Sequence, residues 1–457
     1  MTSVLWLRRD LRLRDHPALN AAAGGPVVAL FVLDPALLGP AGPARIAFLY
    51  RTLRALDTEL RGQGARLVIR RGDPVTAVAR VVREVGAGSV HVSADFNPYG
   101  ARRDAAVEAA LGDVAFVRTG SPYAVSPGRI RNADGQPYRV YTPFYRAWTS
   151  HGWPPPASGA RIVWHGEVEG VDVPDDPRLP AGVDLPEAGE DAALRAWRAF
   201  RGQGLASYAD DRNRPDLDRT SRMSVYLKWG CVHPRTLLAD LGAGDERYRK
   251  ELAWREFYAH VLHAWPRSAR EYVQPKLAAS TYADPTSAAF AAWCAGRTGF
   301  PMVDAGMRQL LGQGWMHNRV RMLVASFLVK DLHIEWRHGA RYFMRHLVDG
   351  DLASNQHGWQ WTAGTGTDAA PFYRVFNPVT QGLKFDPDGD YVRRWVPELR
   401  GVPGPAVHQP WNLAQPPPDY PDRIVDHAEE RRVALERYQR AGTDPVSRTE
   451  PVRRPGT

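Results

Sequence analysis

The stretch from Asp349 to Pro378 reads DGDLASNQHGWQWTAGTGTDAAPFYRVFNP, and it decides how the C-terminal half of the chain folds. Read as a helix, it places Asp351, Asn355 and Trp359 four residues apart on one face. This row of an acid, a neutral amide and an indole suits a bound aromatic cofactor. The acid can hold a ring-edge donor, the amide can face a ring nitrogen, and the indole can pass an electron. The alternative is a buried helix with polar caps, and the rest of the chain must decide between the two.

Length and composition indicate a globular protein with two domains, because 457 residues exceed one average core. Hydrophobic residues make up 44% of the chain and charged residues 24%, as in soluble proteins. The N-terminus has no long apolar stretch, and the apolar run Val27–Leu33 has the length of a strand, not of a membrane span. Cys231 and Cys294 lie far apart and outside any metal-ligand spacing. We therefore expect a cytoplasmic protein with no membrane association and no metal site.

The formal net charge of +9 is compatible with nucleic-acid binding, in which cationic side chains neutralise phosphates. Many basic proteins bind no DNA, so the charge alone is a weak indication. The chain also has fifteen tryptophans, which either serve a function or anchor the core and surface.

Residues 1–130 alternate short β-branched strands with amphipathic helices, which predicts a doubly wound, Rossmann-like parallel α/β domain. The predicted strands are Val4–Leu7, Val27–Leu33, Leu67–Ile69, Val90–Val92 and Val114–Val117, and the clearest helices are Ala44–Arg61, Pro74–Val85 and Ala101–Leu111. Such a sheet offers a crevice at the carboxyl ends of its strands. Because no GxGxxG or GxxxxGK[ST] motif follows a strand, we expect no dinucleotide or P-loop site of the usual kind.

Residues 131–190 are rich in Pro and Gly and lose their periodicity, which predicts a long linker on the surface. Residues 191–457 read as a large all-α domain. Near its end, a Pro-rich segment precedes one charged helix, predicted at Ile424–Arg440.

Six segments, in this order and spacing, resemble class I cyclobutane pyrimidine dimer photolyases of the photolyase/cryptochrome family. They are Leu5–Asp15 (LWLRRDLRLRD), Tyr141–Phe144 (YTPF), Thr220–Ser224 (TSRMS), Trp254–Tyr258 (WREFY), Gly314–Arg319 (GWMHNR) and the stretch quoted above. The resemblance covers nearly the whole chain. It implies an α/β antenna domain at 1–130, a linker at 131–190 and a helical FAD-binding catalytic domain at 191–457.

Small hydroxyl side chains beside a cation at a helix start, as at Thr220–Ser224, can bind phosphate or simply cap the helix. The resemblance implies that this segment holds the FAD pyrophosphate and that the 349–351 turn lies near the flavin ring and ribityl chain. Asn355 would face flavin N5, where a neutral amide tolerates the reduced anionic flavin and an acid would oppose it. The implied cofactor-binding residues are Tyr208, Thr220, Ser221, Arg222, Met223, Ser224, Asp349, Gly350, Asp351 and Asn355.

Glu251 and Trp254 share a face at helical spacing. A carboxylic acid beside an apolar pocket can stay protonated and donate a hydrogen bond; the alternative is a surface Glu paired with Arg255 or Arg247. The resemblance implies that Glu251 contacts the carbonyls of a flipped-out pyrimidine dimer. The implied substrate residues are Arg212 and Arg374 at the flanking phosphates, Trp254 and Trp361 stacked on the bases, and Glu251, Arg255, Asn318, Arg319 and Met322. Each arginine could equally form a surface ion pair.

Trp359 and Trp336 match the first two tryptophans of the family's electron-transfer chain to the flavin. The third position falls on Ala283 in this chain. Tyr282, the neighbouring residue, is a redox-capable phenol and a candidate for the missing role. Repair itself does not depend on this position, since it needs only reduced flavin.

The resemblance implies light-dependent repair of cyclobutane pyrimidine dimers, by electron transfer from excited reduced FAD to the flipped dimer and back. UV-damaged DNA is the expected partner, and we expect a monomer that associates with the nucleoid when bound to DNA. One alternative is a (6-4) photolyase, which Asn318 opposes because those enzymes carry a paired histidine at His317–Asn318. The other is a cryptochrome-like blue-light photoreceptor, which the complete set of substrate residues opposes.

The N-terminal domain should hold a light-harvesting chromophore. Folate-binding relatives have a Glu where Gly100 stands here, and residues 95–104 are more similar to those of relatives that bind 8-hydroxy-5-deazaflavin. We therefore expect the deazaflavin, with methenyltetrahydrofolate or no antenna as the alternatives.

Overall fold

The computed structural model describes residues 1–278, 280–367 and 373–443. Its N-terminal half is built on a parallel sheet with the strand order β3-β2-β1-β4-β5. The strands are β1 (Ser3–Leu7), β2 (Pro26–Leu33), β3 (Val68–Arg71), β4 (Ser89–Val92) and β5 (Ala115–Arg118). All five residues of β1 are buried, as a central strand covered on both faces requires. The predicted doubly wound sheet is confirmed, and its switch point lies between β1 and β4.

Five helices follow the strands of this sheet: α1 (Pro17–Ala22), α2 (Pro35–Leu38), α3 (Pro43–Arg61), α4 (Pro74–Val85) and α5 (Pro98–Ala110). The bounds of α4 agree with the prediction, and α3 begins one residue earlier than predicted. The start of α5 was predicted three residues too late, at Ala101. Each of these helices begins with a proline, which suits the first helical position because its missing N–H would have no partner there.

The segment at 131–190 contains two elements that the sequence did not predict. They are α6 (Tyr141–His151) and β6 (Val163–Trp164), and β6 pairs in parallel with Pro26–Val27 at the start of β2. Two paired residues carry no detectable alternation, and the proline in the first turn of α6 hides its helical pattern. The segment is therefore partly integrated into the N-terminal half.

In the C-terminal half the regular elements of the described residues are all helices. Its α-helices are α7 (Glu190–Gln203), α8 (Tyr208–Asp211), α9 (Met223–Trp229), α10 (Pro234–Ala239), α11 (Glu246–Ala264), α12 (Ala288–Ala295), α13 (Pro301–Gln313), α14 (Asn318–Ser326), α15 (Trp336–His346), α16 (Leu352–Ala363), α17 (Pro378–Phe385), α18 (Asp390–Trp395) and α19 (His427–Thr443). A π-helical turn (Phe327–Asp331) follows α14, and short 3₁₀ turns lie at Ala243–Asp245, Pro266–Ala269, Pro275–Leu277, Pro397–Leu399, Gly404–His408 and Pro410–Asn412. The predicted all-α half is confirmed, and none of the described helices is long and apolar enough to cross a membrane.

The two halves meet at a buried ion pair. Arg9, just after β1, places a guanidinium nitrogen 2.6 Å from a carboxylate oxygen of Asp351, and both side chains are about nine-tenths buried. Asp351 caps α16 by accepting from the backbone N–H of Ser354 at 3.0 Å. Burial opposes ionisation of this carboxyl, but Arg9, then Arg255 and Lys228, hold the pKa of Asp351 well below its ordinary value. The start of α16 is therefore anchored electrostatically to the sheet.

A second close approach lies beside this ion pair. Arg45 of α3 donates to the carbonyl of Met344 at the end of α15, at 3.1 Å. A Cβ atom at Gly350 would lie 2.2 Å from the guanidinium nitrogen of Arg45. A side chain at this position would have to displace the end of the Arg45 side chain.

We predict that Arg9→Met lowers the free energy of unfolding by about 3 kcal/mol at neutral pH, because it leaves the Asp351 carboxylate buried and unpaired. Since the folded-state pKa of Asp351 is depressed, the pair stabilises the fold above about pH 4 and this contribution is lost as the pH falls through the folded pKa. The deficit of the variant should therefore shrink in acid. Urea unfolding followed by tryptophan fluorescence at several pH values measures it.

The matched control is Arg14→Met. Arg14 pairs with Asp191 at 2.7 Å, but both side chains are more than half exposed, so we expect a loss below about 1 kcal/mol. Equal losses in the two variants would show that the buried pair contributes no more than a surface pair.

Candidate functional site

Three of the sequence motifs lie side by side in the C-terminal half. The indole N–H of Trp315 donates to the hydroxyl of Ser224 at 3.4 Å, which joins the 314–319 segment to the start of α9. Arg321 of α14 pairs with Asp349 at 2.8 Å. The backbone N–H of Val348 donates to the carbonyl of Gly314 at 2.8 Å. Segments 220–224, 314–321 and 348–351 thus form one continuous site.

The 220–224 segment has a constrained backbone. Arg222 adopts a left-handed conformation with φ of 52°, which is unfavourable for a residue with a Cβ and is typical of functional turns. The hydroxyls of Ser221 and Tyr248 are hydrogen-bonded at 2.8 Å, and Tyr208 packs edge-on against Tyr248 with 5.1 Å between ring centroids. The hydroxyl of Thr220 is buried and has no hydrogen-bond partner among the described residues. An unsatisfied buried hydroxyl is costly, so this pocket fits a polar ligand group.

The second wall is the helix predicted from the opening stretch. Asp351 caps α16, and Asn355 and Trp359 follow at intervals of four residues, so the predicted shared face is confirmed. The Asn355 amide N–H donates to the carbonyl of Ala340 in α15 at 3.1 Å, which fixes the orientation of the side chain. One carboxylate oxygen of Asp349 takes the ion pair with Arg321, and the other is buried without a partner among the described residues.

Trp359 of α16 and Trp336 of α15 are both buried. A Cβ atom at Gly339, one turn after Trp336 in α15, would lie 2.1 Å from the Trp359 ring, so this indole presses directly on the α15 backbone. Among the described residues neither indole N–H has a hydrogen-bond partner. The phenol that packs on Trp336 is Tyr272, edge-on at 6.1 Å between centroids, and the hydroxyl of Tyr282 lies 3.3 Å from that of Tyr272. The sequence analysis had singled out Tyr282 and missed Tyr272.

Glu251 and Trp254 lie one turn apart on α11, as predicted. Glu251 is ion-paired with Arg212 at 2.5 Å, not with Arg255 or Arg247. The Arg212 guanidinium therefore neutralises Glu251 in this structure, although the sequence analysis had assigned it to a DNA phosphate. Burial and then the neighbouring Arg212 and Arg247 lower the pKa of Arg319, while Glu251 opposes them. Glu251 thus sits within a cluster of three arginines.

Trp254 packs against Tyr141, a residue to which the sequence analysis gave no role. The Trp254 ring stacks on the Tyr141 ring of α6, with centroids 3.6 Å apart and planes 6° from parallel. The Tyr141 hydroxyl donates to the carbonyl of Lys250 at 2.8 Å. Glu256 of α11 accepts from the Trp148 indole of α6 at 2.6 Å, which holds the two helices in register. The YTPF motif could have indicated this contact, because its tyrosine, Tyr141, is the residue that stacks on Trp254.

The remaining predicted substrate residues fall into two groups. Arg319 donates to the Asn213 side chain at 2.6 Å and contacts the Met322 sulfur at 3.7 Å, next to the exposed Asn318. Arg374 lies with its guanidinium carbon 5.6 Å from the ring centroid of Trp361.

Arg255 lies elsewhere. It donates to the carbonyls of Pro122 at 2.9 Å and Leu227 at 3.2 Å, at the junction of the two halves. The structure therefore does not bring Arg255 together with Glu251 and Trp254, because the adjacent position on the helix points to another side.

Comparison with known proteins agrees with this geometry. The sequence profile named FAD binding domain of DNA photolyase matches residues 248–440, and the profile named DNA photolyase matches residues 3–160. The chain is 41% identical to a deoxyribodipyrimidine photo-lyase of Streptomyces griseus, with 96% of this chain and 98% of the relative covered. It is 38% identical to the enzyme of that name from Escherichia coli K12, with 96% and 99% covered.

Solved structures show the same architecture. A bacterial class III photolyase from Agrobacterium tumefaciens superposes with a TM-score of 0.87 at 36% identity, covering 97% of this chain and 98% of that one. A cryptochrome from Synechocystis superposes with a TM-score of 0.87 at 26% identity, covering 95% and 98%. The chain belongs to the photolyase/cryptochrome family, and its C-terminal half is an FAD-binding domain.

The site residues fit a flavin dinucleotide. The buried hydroxyl of Thr220 and the unpartnered oxygen of Asp349 are polar atoms that a nucleotide with many donors and acceptors can satisfy. The described residues contain no group of three or more His, Cys, Asp or Glu side chains able to hold a metal ion.

We predict that Asp349→Asn weakens FAD binding about tenfold or more, because it removes the charge that orients Arg321 and weakens the acceptor at the buried oxygen. Fluorescence titration of the apoprotein with FAD measures the dissociation constant. The control is Asp390→Asn, which removes a largely exposed carboxylate paired with Arg393 at 2.7 Å. Unchanged affinity in Asp349→Asn would exclude this carboxylate from the cofactor site.

Proposed function

We propose that this protein is a class I photolyase that repairs cyclobutane pyrimidine dimers in DNA under light. The cyclobutane ring is opened to two intact pyrimidines with no net gain or loss of electrons. The main support is the arrangement on α11, where Glu251 is held by Arg212 one turn before Trp254, whose ring is stacked on Tyr141. The names of the relatives, deoxyribodipyrimidine photo-lyase, agree with this chemistry.

The binding step follows from the charges and rings of this site. We assign Arg212 and Arg374 to the phosphates that flank the lesion, because a guanidinium binds phosphate through two charge-assisted hydrogen bonds. When a phosphate takes Arg212, Glu251 loses its cation, and in its protonated form the Glu251 carboxyl can donate a hydrogen bond to a carbonyl of the dimer. Lesion binding thus changes the hydrogen-bond partner of Glu251 from Arg212 to substrate.

The aromatic residues hold the extruded bases. One face of Trp254 is covered by Tyr141, so the indole is fixed before the substrate arrives and presents its other face for stacking. Trp361 on α16 would stack from the opposite side, while Asn318, Arg319 and Met322 line the pocket. A dimer pairs poorly within the duplex, which lowers the cost of extruding it and contributes to selectivity.

FAD in its reduced anionic form supplies, when bound, the electron that light drives to the dimer. Tyr208, Thr220, Ser221, Arg222, Met223 and Ser224 would hold its phosphates, and Asp349, Gly350 and Asp351 its ring and ribityl chain. Asn355 is neutral and fixed by Ala340, so it can face a negatively charged ring without repelling it.

We predict that Glu251→Ala lowers the yield of dimer repair about tenfold or more, with FAD content unchanged, because the dimer carbonyls lose their polar partner. Glu251→Gln should retain more activity than the alanine variant, since an amide N–H can still donate. Blue-light repair of a single-stranded oligonucleotide with one thymine dimer, with chemically reduced flavin and a dark control, measures the yield.

Glu246→Ala is the control, because Glu246 lies at the start of the same helix in an exposed pair with Lys250 at 3.1 Å. Full activity of Glu251→Ala would remove Glu251 from the mechanism. If the wild-type protein repairs no thymine dimer, the same assay on a (6-4) lesion distinguishes a (6-4) photolyase from a cryptochrome-like photoreceptor.

We predict that Asn355→Asp makes the flavin harder to reduce, with a midpoint potential more negative by about 60 mV or more, because the new carboxylate repels the reduced anion. Redox titration of the holoprotein gives this potential. Asn20→Asp adds the same charge on α1 in the N-terminal half and should leave the potential unchanged. An unaltered potential in Asn355→Asp would separate Asn355 from the flavin ring.

For the antenna we propose 8-hydroxy-5-deazaflavin at the carboxyl ends of the strands. A Cβ atom at Gly100 would lie 2.1 Å from a carboxylate oxygen of Asp95, so the Glu that folate-binding relatives carry here would require the Asp95 side chain to move. A solved archaeal relative from Sulfolobus tokodaii, with a TM-score of 0.84 at 29% identity over 96% of this chain and all of that one, is described as having two FAD molecules.

We also propose the division into 1–130, 131–190 and 191–457, and a cytoplasmic monomer that joins the nucleoid on damaged DNA.

A further inference from the structure

Next to the Trp336 ring lies a tyrosine whose hydroxyl is hydrogen-bonded to a carboxylate. Among the described residues, Tyr272 is the phenol in ring contact with Trp336. Its hydroxyl donates to a carboxylate oxygen of Glu335 at 2.9 Å. The Tyr282 hydroxyl lies 3.3 Å from the Tyr272 oxygen and 3.1 Å from the carbonyl of Leu277. Both phenols are half-buried, so the group links the protein interior to the surface.

Glu335 is held in place by α15. One of its oxygens accepts from the backbone N–H of Arg337 at 3.1 Å and caps the helix that starts at Trp336. The other accepts from both the Arg337 side chain at 2.8 Å and the Tyr272 hydroxyl. The residue that precedes the indole in sequence therefore supplies the base for the phenol that packs on it.

Oxidation of a phenol is favourable only if its proton leaves. Burial, then the bond to Tyr282 and the charge of Glu335, raise the pKa of Tyr272 well above its ordinary value, so the phenol is protonated before it loses an electron. The Arg337 guanidinium carbon lies 5.6 Å from the Tyr272 ring centroid and opposes a positive charge on the ring. Oxidised Tyr272 must therefore lose its positive charge by releasing the hydroxyl proton, and the Glu335 carboxylate is positioned to accept that proton.

A second tyrosine in the same cluster of rings, Tyr342, donates to a backbone carbonyl instead of a carboxylate. Trp293 contacts Trp359 at 6.2 Å and Tyr342 at 5.5 Å between centroids. The Tyr342 hydroxyl donates to the backbone carbonyl of Cys294 at 2.8 Å. A carbonyl cannot accept a proton as a carboxylate can, so Tyr342 has ring contact without a base.

We propose that Tyr272, with Glu335 as its proton acceptor, is the electron donor that refills Trp336 during photoreduction of the flavin. The inference rests on the proposed function, in that its oxidant is a light-excited oxidised flavin that takes one electron through Trp359 and Trp336. Tyr272 then gives one electron to the oxidised Trp336, and its O–H bond breaks. The proton goes to the Glu335 carboxylate, which leaves neutral Trp336, a neutral tyrosyl radical and a protonated Glu335. Tyr282, hydrogen-bonded to Tyr272, lies further out.

The test is flash excitation of the full-length protein with oxidised FAD, followed by transient absorption and by electron paramagnetic resonance. We expect a neutral tyrosyl radical in the wild type, with hyperfine splitting that changes when tyrosine is ring-deuterated. Tyr272→Phe should abolish this radical and leave oxidised tryptophan. Glu335→Gln keeps a hydrogen-bond acceptor but no base, and should slow formation of the radical about 100-fold or more. Heavy water should slow it in the wild type.

Tyr342→Phe is the matched control and should leave the radical unchanged. The thermal unfolding midpoint of each variant shows whether it folds. A tyrosyl radical that survives in Tyr272→Phe but disappears in Tyr282→Phe would overturn the proposal, as would an unchanged rate in Glu335→Gln. Repair by the wild-type protein with chemically reduced flavin needs no refilling of Trp336. Failure of that assay would therefore count against the proposed function and not against the role of Tyr272.

Discussion

The ion pair of Arg9 and Asp351 is the contact on which the rest of the site depends. It joins residues 342 positions apart, one just after the central strand and one at the first turn of α16. Because Asp351 is also the helix cap, the same carboxylate sets both the docking of the two halves and the starting point of the helix that carries Asn355 and Trp359. The Arg45 side chain approaches Gly350 closely beside it. The position of Asn355 and Trp359 is therefore determined by the N-terminal half as much as by the helical half.

A second dependence runs through α11. Glu256 ties this helix to α6 through Trp148, Tyr141 of α6 fixes Trp254, and Glu251 one turn earlier holds Arg212. Aromatic stacking and ion pairing thus prepare both the ring and the charge that a lesion would contact. Because these side chains are already ordered, substrate binding costs less conformational entropy.

Much of the fold could be predicted from local pattern. The five main strands lie within two residues of their predicted bounds, because each contains a short apolar run with β-branched or aromatic residues. The face of Asp351, Asn355 and Trp359 follows from helical spacing alone. The α6 helix and the two-residue β6 could not be predicted, since a proline and extreme brevity hide their periodicity.

The site was predictable in its residue types but not in its pairings. Glu251 and Arg212 are 39 positions apart, and nothing in either local sequence indicates that they meet. Arg255 adjoins Trp254 in sequence, yet helical geometry turns it to the junction of the two halves. Tyr272 was missed for the same reason, because its relation to Trp336 exists only in the tertiary structure. The individual roles of the predicted site residues come from the resemblance and stay predictions.

The pairing of β6 with β2 bears on how this architecture can be recombined. The short strand returns from α6 to the start of β2, on the edge that β3 occupies further along, so the N-terminal sheet is completed by residues 163–164. A fragment that stops at residue 130 would expose the edge of Pro26–Val27 and would also lack the aromatic that backs Trp254. The N-terminal half therefore cannot be exchanged between relatives as a free module. Any chimera has to carry the intervening segment along with the sheet that it completes.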